Sequence, residues 1–191
     1  MRLILPLLLA PLPALACEEP IDFPPDEAIV LLEEIRDGAD LDLRAQFDYQ
    51  RLLCADDQFI RDQARAIGRA SEVEAIRAAA IRSAIFEKDV LNLTILPADG
   101  MSDAAIAMME ANPIISYQVA FVDRAAGCVS LNETARCNPT YLASLSGTEM
   151  DLKFNKAVAK LRLTDNGRMV GVWSNGESLG AITQQVELRL D

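Results

Sequence analysis

Four cysteines, twenty-nine acidic residues and the absence of histidine define the chemistry open to this chain. Cys17, Cys54, Cys128 and Cys137 contain no Cys-x2-Cys pair, and without histidine a zinc site would need all four of these scattered thiolates. They read instead as two disulfides. Cys128 and Cys137 bracket the turn-like stretch VSLNETAR and pair with each other, which leaves Cys17 for Cys54. On a chain-entropy argument the short loop stabilises by roughly 2.5–3 kcal/mol and the long one by roughly 4 kcal/mol.

The lack of histidine removes Ser-His-Asp and Cys-His relays. No G-x-S-x-G, S-x-x-K or phosphate-binding glycine loop occurs either. Carboxylate chemistry remains, either paired acids acting on glycans or a metal held by oxygen ligands. Three acidic clusters could serve it. Asp37, Asp40 and Asp42 lack the order and closing Glu of a calcium loop and read as helix ends and caps. Asp56-Asp57 reads as a helix start with Asp56 as its cap. Glu149 and Asp151 share strand parity with Lys153, as on a solvated face. No catalytic residue, metal ligand or cofactor is therefore assigned. Trp173, the single tryptophan, is a candidate binding residue as a stacking platform or interface anchor. Its parity with Met169 and Gly171 also suits a core position on a strand.

Residues 1–16, MRLILPLLLAPLPALA, carry one early arginine, an apolar stretch and a small-x-small end at Ala14-Leu15-Ala16. This is the pattern of a secretory signal peptide. Export, most naturally to a periplasm, also suits paired cysteines. The competing reading is a lipoprotein anchored through Cys17. Its usual order before the cysteine is reversed here, and lipidation would strand one of the other three thiols. Removal of the segment takes away one arginine and no acid, moving the net charge from −11 to −12. That acidity argues against nucleic acid as a partner. No later stretch is long and apolar enough for a transmembrane span.

The elements follow from periodicity. Pro-rich 18–25 leads into a helix from Asp26 ended by Gly38. A second helix from about Asp40 or Asp42 places Leu43, Phe47, Gln50, Leu53 and Cys54 on one face. A third buries Phe59, Ile60, Ala64 and Ile67. The fourth opens with Ser71 and Glu74 in capping-box spacing, and Val73, Ile76, Ala80 and Phe86 keep its period. The phrase around Ile60-Arg61 recurs around Ile76-Arg77, too close for a solenoid repeat, so these are two stacked helices.

At Val90 the period changes to that of strands. Val90–Leu96 is one strand, Ser102 caps a short helix, and apolar Ile114–Val122 reads as a central strand. Cys128–Leu131 reads as an edge. Asn166-Gly167 and Asn175-Gly176 signal type I′ hairpins in a terminal meander. In it Ala157, Ala159, Leu161 and Leu163 face inward, as do Ile182, Val186, Leu188 and Leu190.

The expected architecture is α+β. A signal peptide (1–16) precedes a helical subdomain of about four helices (17–88). This packs on a mostly antiparallel sheet with one short helix (89–191), curved as a half-barrel or folded as a sandwich. The expected role is a non-catalytic binding or accessory protein of the cell envelope, with an envelope protein or polymer as partner. The alternative is a carboxylate-dependent enzyme acting on glycans.

Overall fold

The computed structural model describes residues 17, 19–37, 43–176 and 182–190. The leader (1–16), Gly38, Asp40 and Asp42 lie outside the described residues. The fold is α+β, with helices α1 (Pro25–Asp37), α2 (Leu43–Leu52), α3 (Gln58–Ala70) and α4 (Glu74–Phe86) preceding most of the sheet. A fifth helix, α5 (Asp103–Ala111), lies between β1 (Val90–Leu96) and β2 (Ile114–Gln118). The remaining strands are β3 (Phe121–Asp123), β4 (Cys128–Ser130), β5 (Tyr141–Ser146), β6 (Glu149–Phe154), β7 (Ala157–Leu163), β8 (Met169–Ser174) and β9 (Thr183–Leu188). All nine strands form one antiparallel sheet in the order β2-β1-β9-β8-β7-β6-β5-β4-β3, curled as a half-barrel.

The helical part differs in detail from expectation. In α2 the inner face is Tyr49 and Leu52, while Phe47 is 45 % exposed. Tyr49 Oη donates to the Ala64 carbonyl at 3.0 Å, which turns this face of α2 toward α3. In α3 the buried stripe is Ile60, Ala64 and Gly68, and Phe59, one position off it, is 68 % exposed. Asp57, not Asp56, caps α3 by accepting from Phe59 N at 2.7 Å. The Ser71–Glu74 capping box does not form. Helix α4 starts at Glu74 with Val73 as an extended N-cap, so Glu74 is in the first helical position and cannot reach back. Ser71 instead ends α3, its N–H donating to Gly68 O, while its hydroxyl accepts from Val73 N. Ser102 does cap α5, accepting from Ala105 N at 3.2 Å.

The apolar run 114–122 is not a central strand. It splits into β2 and β3, which stand at opposite ends of the strand order with only Val119 and Ala120 between them. Val119 N bonds Asp89 O beside β1, and Ala120 N bonds Ser130 O at the end of β4, each at 2.8 Å. One continuous stretch of chain therefore serves both margins of the curled sheet. The apolar run has this cause, not central placement, and it leaves β4 one strand inside the margin instead of at it.

The meander parity is as expected. Ala159, Leu161 and Leu163 are buried, as are Val186, Leu188 and Leu190, while Glu149, Asp151 and Lys153 are exposed. Neither Asn-Gly pair makes a type I′ turn, since Gly167 and Gly176 have positive φ but their asparagines do not. At 164–168, Gly167 N bonds Thr164 O and Thr164 N bonds Arg168 O. This is a three-residue loop closed by a left-handed glycine. Asn175-Gly176 opens a longer connection, with Asn175 N bonded to Ile182 O. The tight two-residue turns are Gly147-Thr148 and Asn155-Lys156, each with a positive φ at its first residue.

Two hydrophobic clusters meet in α4. Its Ile76 and Ala80 belong to the core of the helices, together with Phe23, Ile35, Tyr49, Leu52 and Ala64. Its Ile81, Ala84, Ile85 and Phe86 belong to the core of the curled sheet, with Leu91, Met150, Leu161, Met169 and Trp173. At the β7–β8 loop the same helix is tied by Arg77, whose Nη2 donates to Thr164 O at 3.3 Å.

Gly171 and Gly68 are among the glycines that mark close approaches. A Cβ on Gly171 would lie 1.8 Å from the Lys160 carbonyl oxygen, and one on Gly68 would lie 1.8 Å from Tyr49 Oη. Each alanine replacement is expected to destabilise the fold by about 1–3 kcal/mol. Gly171→Ala should cost more, because it meets backbone instead of the tip of a side chain. Urea unfolding of both variants measures this, and an unchanged midpoint for Gly171→Ala would contradict the close approach of β7 and β8.

Candidate functional site

Both expected disulfides are present. Cys128–Cys137 closes the loop after β4, and Cys17–Cys54 ties the N-terminal segment to the end of α2. The second is reinforced by Ile21 N bonding Cys54 O and Asp56 N bonding Ile21 O, both at 2.8 Å. In the Cys128–Cys137 loop, Asn138 Nδ2 donates to Glu133 at 2.6 Å and Arg136 Nε donates at 3.1 Å. These two bonds, Asn138 foremost, hold the Glu133 carboxyl below its ordinary range.

The acidic clusters do not converge. Asp37 is exposed beside Arg36, Asp57 serves as a helix cap, and Glu149 and Asp151 lie on the outer face of the sheet. Among the described residues no three cysteine, aspartate or glutamate side chains gather into a set that could hold a metal.

Trp173 points into the curled sheet and is 5 % exposed. Its Nε1 donates to Tyr117 Oη at 2.7 Å. Tyr117 packs on Phe154 with ring centroids 5.2 Å apart, and Phe154 meets Tyr141 edge-on at 5.1 Å. Gln184, buried at the start of β9, donates to Ala105 O of α5 at 2.8 Å. These contacts fill the interior with side chains.

A concavity lies outside that interior, where α2, α4 and the turn after β3 meet. On α4, Ala79, Arg82, Ser83 and Phe86 follow i, i+3, i+4, i+7 spacing and so line one face. Gln50, Leu53, Cys54 and Cys17 face them, and Arg124 closes the end. The groove is open to solvent. A second lobe adjoins it and shares Cys17, Leu53, Cys54, Ser83 and Arg124. Arg61 and Glu87 line that lobe.

The electrostatics of the two lobes differ. In the second, Glu87 Oε1 meets both Arg65 Nη2 and Arg61 Nε, the latter at 3.8 Å. Arg65, itself buried, also donates to Ser83 Oγ at 3.1 Å and to Asp62 at 3.0 Å. The first lobe is lined by Arg82 and Arg124 together with Phe86. Arg124 lies over the Phe86 ring at 5.6 Å. Neither guanidinium meets a carboxylate among the described residues. Arginines converge here although the chain as a whole carries a charge of −11.

None of these arginines stood out in the sequence. Arg82 interrupts the apolar run of α4 and was a visible signal; Arg124 reaches the groove only through the β3–β4 turn. No family model, curated protein or solved structure matches this chain.

Burial raises the Tyr117 hydroxyl above its ordinary pKa, an effect partly offset by the Trp173 donor. Burial likewise raises Tyr49, against a smaller opposing pull from Arg69 and Arg65. Both folded values exceed the unfolded one. The stability they supply is thus intact below pH ~10 and is lost as pH rises above it, by up to about 1.4 kcal/mol per pH unit for each tyrosine. Urea unfolding between pH ~9 and ~12 should show this decline, with a shallower slope in Tyr49→Phe. An identical slope in that variant would argue that Tyr49 ionises freely in the fold.

Proposed function

We propose that the protein is an exported, non-catalytic binding or accessory protein of the cell envelope, acting through the groove beside the Cys17–Cys54 disulfide. The observation that carries this reading is the pair Arg82 and Arg124, withdrawn into a groove without a carboxylate partner among the described residues, in an acidic chain. Half-buried cations without counter-charge are costly unless a ligand supplies one. The placement of the acidic clusters, on an outer sheet face and at helix ends, favours binding over hydrolysis by paired acids.

Export rests on the leader-like residues 1–16 and on the four cysteines, which are all paired. The Cys17 sulfur is bonded to Cys54, and a lipid thioether would require that same atom. This favours a protein free in the periplasm over a lipid-anchored one.

Intact-mass measurement on protein released from the host's periplasm tests the export reading. The expected species spans residues 17–191 and gains about four hydrogens on reduction, two per disulfide. Retention of residues 1–16, or a diacylglycerol-sized adduct on Cys17, would overturn it.

A further inference from the structure

We propose that the groove between α2, α4 and the β3–β4 turn binds the carboxylate head of a small amphiphile. Arg82 and Arg124 grip the head, and Leu53, Ala79 and Phe86 hold the apolar end. This deepens the binding reading above and rests on it for the biological setting, but the chemistry comes from the groove itself.

The first argument is the exception these two arginines make. Arg61, Arg65 and Arg77 are similarly withdrawn from solvent, and each meets an acid, at Glu87, Asp62 or Asp165. Among the described residues Arg82 and Arg124 are half-buried and meet none. Both line the groove with Phe86, and Arg124 lies over that ring. An anion seated in the groove supplies the counter-charge they lack. Glu87, which lines the neighbouring lobe together with Arg124, is already shared by Arg61 and Arg65.

The second argument is the mixed lining. A site for a bare inorganic anion is polar throughout, whereas this groove has an apolar wall of Leu53, Ala79 and Phe86 beneath the guanidinium pair. Ser83 and Gln50 supply the remaining polar contacts. Small-molecule sites have this composition, an apolar body with a few polar groups that orient the ligand. A guanidinium presents a planar fork of donors, and a carboxylate is its flat complement. The groove is shallow and open to solvent, so the apolar portion must be short.

Calorimetric titration of the protein with octanoate at low ionic strength is the test, with octan-1-ol, acetate and inorganic phosphate as comparison ligands. One saturable octanoate site is expected, weakened by added salt. Arg82→Gln and Arg124→Gln should each lower affinity about tenfold or more, as loss of a charge-assisted hydrogen bond implies. Arg162→Gln, on the outer face of the sheet, should leave it unchanged. Arg124 lies over Phe86 and forms no salt bridge among the described residues, so its variant keeps the test available if Arg82→Gln fails to fold. Absence of octanoate binding, or binding indifferent to both substitutions, would overturn the proposal. Phosphate binding as tightly as octanoate would overturn the role of the apolar wall. A protein that is periplasmic by mass yet ignores octanoate defeats this inference alone, and octanoate binding by a chain that keeps its leader defeats the export reading alone.

Discussion

Helix α4 is the element on which the rest of the molecule depends, because it is apolar on nearly all sides and must be buried on two of them at once. Helices of this character are stable only between partners. One half of α4 completes the helical core through Ile76 and Ala80, and the other half enters the core of the curled sheet through Ile81, Ala84, Ile85 and Phe86. Burying each large aliphatic side chain contributes about 1.5–3 kcal/mol, so one helix couples the two parts by several such terms. The third face of α4 carries Ala79, Arg82 and Ser83 and is the wall of the groove. The candidate site is therefore a by-product of the packing of this helix.

A second constraint is the curl of the sheet. Gly171 lets β8 pass close to the Lys160 carbonyl, and positive-φ residues at 147, 155 and 167 turn the successive hairpins. The curl brings residues of distant strands together inside. Trp173 of β8 thereby reaches Tyr117 of β2, and Phe154 of β6 stacks between Tyr117 and Tyr141. The interior is occupied by these side chains and capped by α5 through Gln184, and the groove lies outside it, at the junction of helices and sheet. The Cys17–Cys54 disulfide sits in that junction and fixes the wall opposite α4.

Much of this was determined by the sequence alone. The α+β order, the change of period near Val90, both cysteine pairings, the α5 cap at Ser102 and the inward parity of β7 and β9 all follow from local rules. Period, capping chemistry and loop closure act over a few residues, or along one chain direction, and need no knowledge of neighbours.

Tertiary structure decided the rest. Whether Phe47 or Tyr49 faces inward in α2 depended on the Ala64 carbonyl that Tyr49 reaches, a partner in another helix. The apolar run 114–122 looked like a central strand, yet the curl of the sheet split it between two margins; strand order is a long-range property that hydrophobicity does not encode. Buried Glu187 sits at an outward-parity position and pairs with Arg168 of the β7–β8 loop. The groove arginines were the least legible of all. Arg82 and Arg124 are forty-two positions apart, and their approach depends on α4 lying against the β3–β4 turn, a geometry set by the packing of two cores.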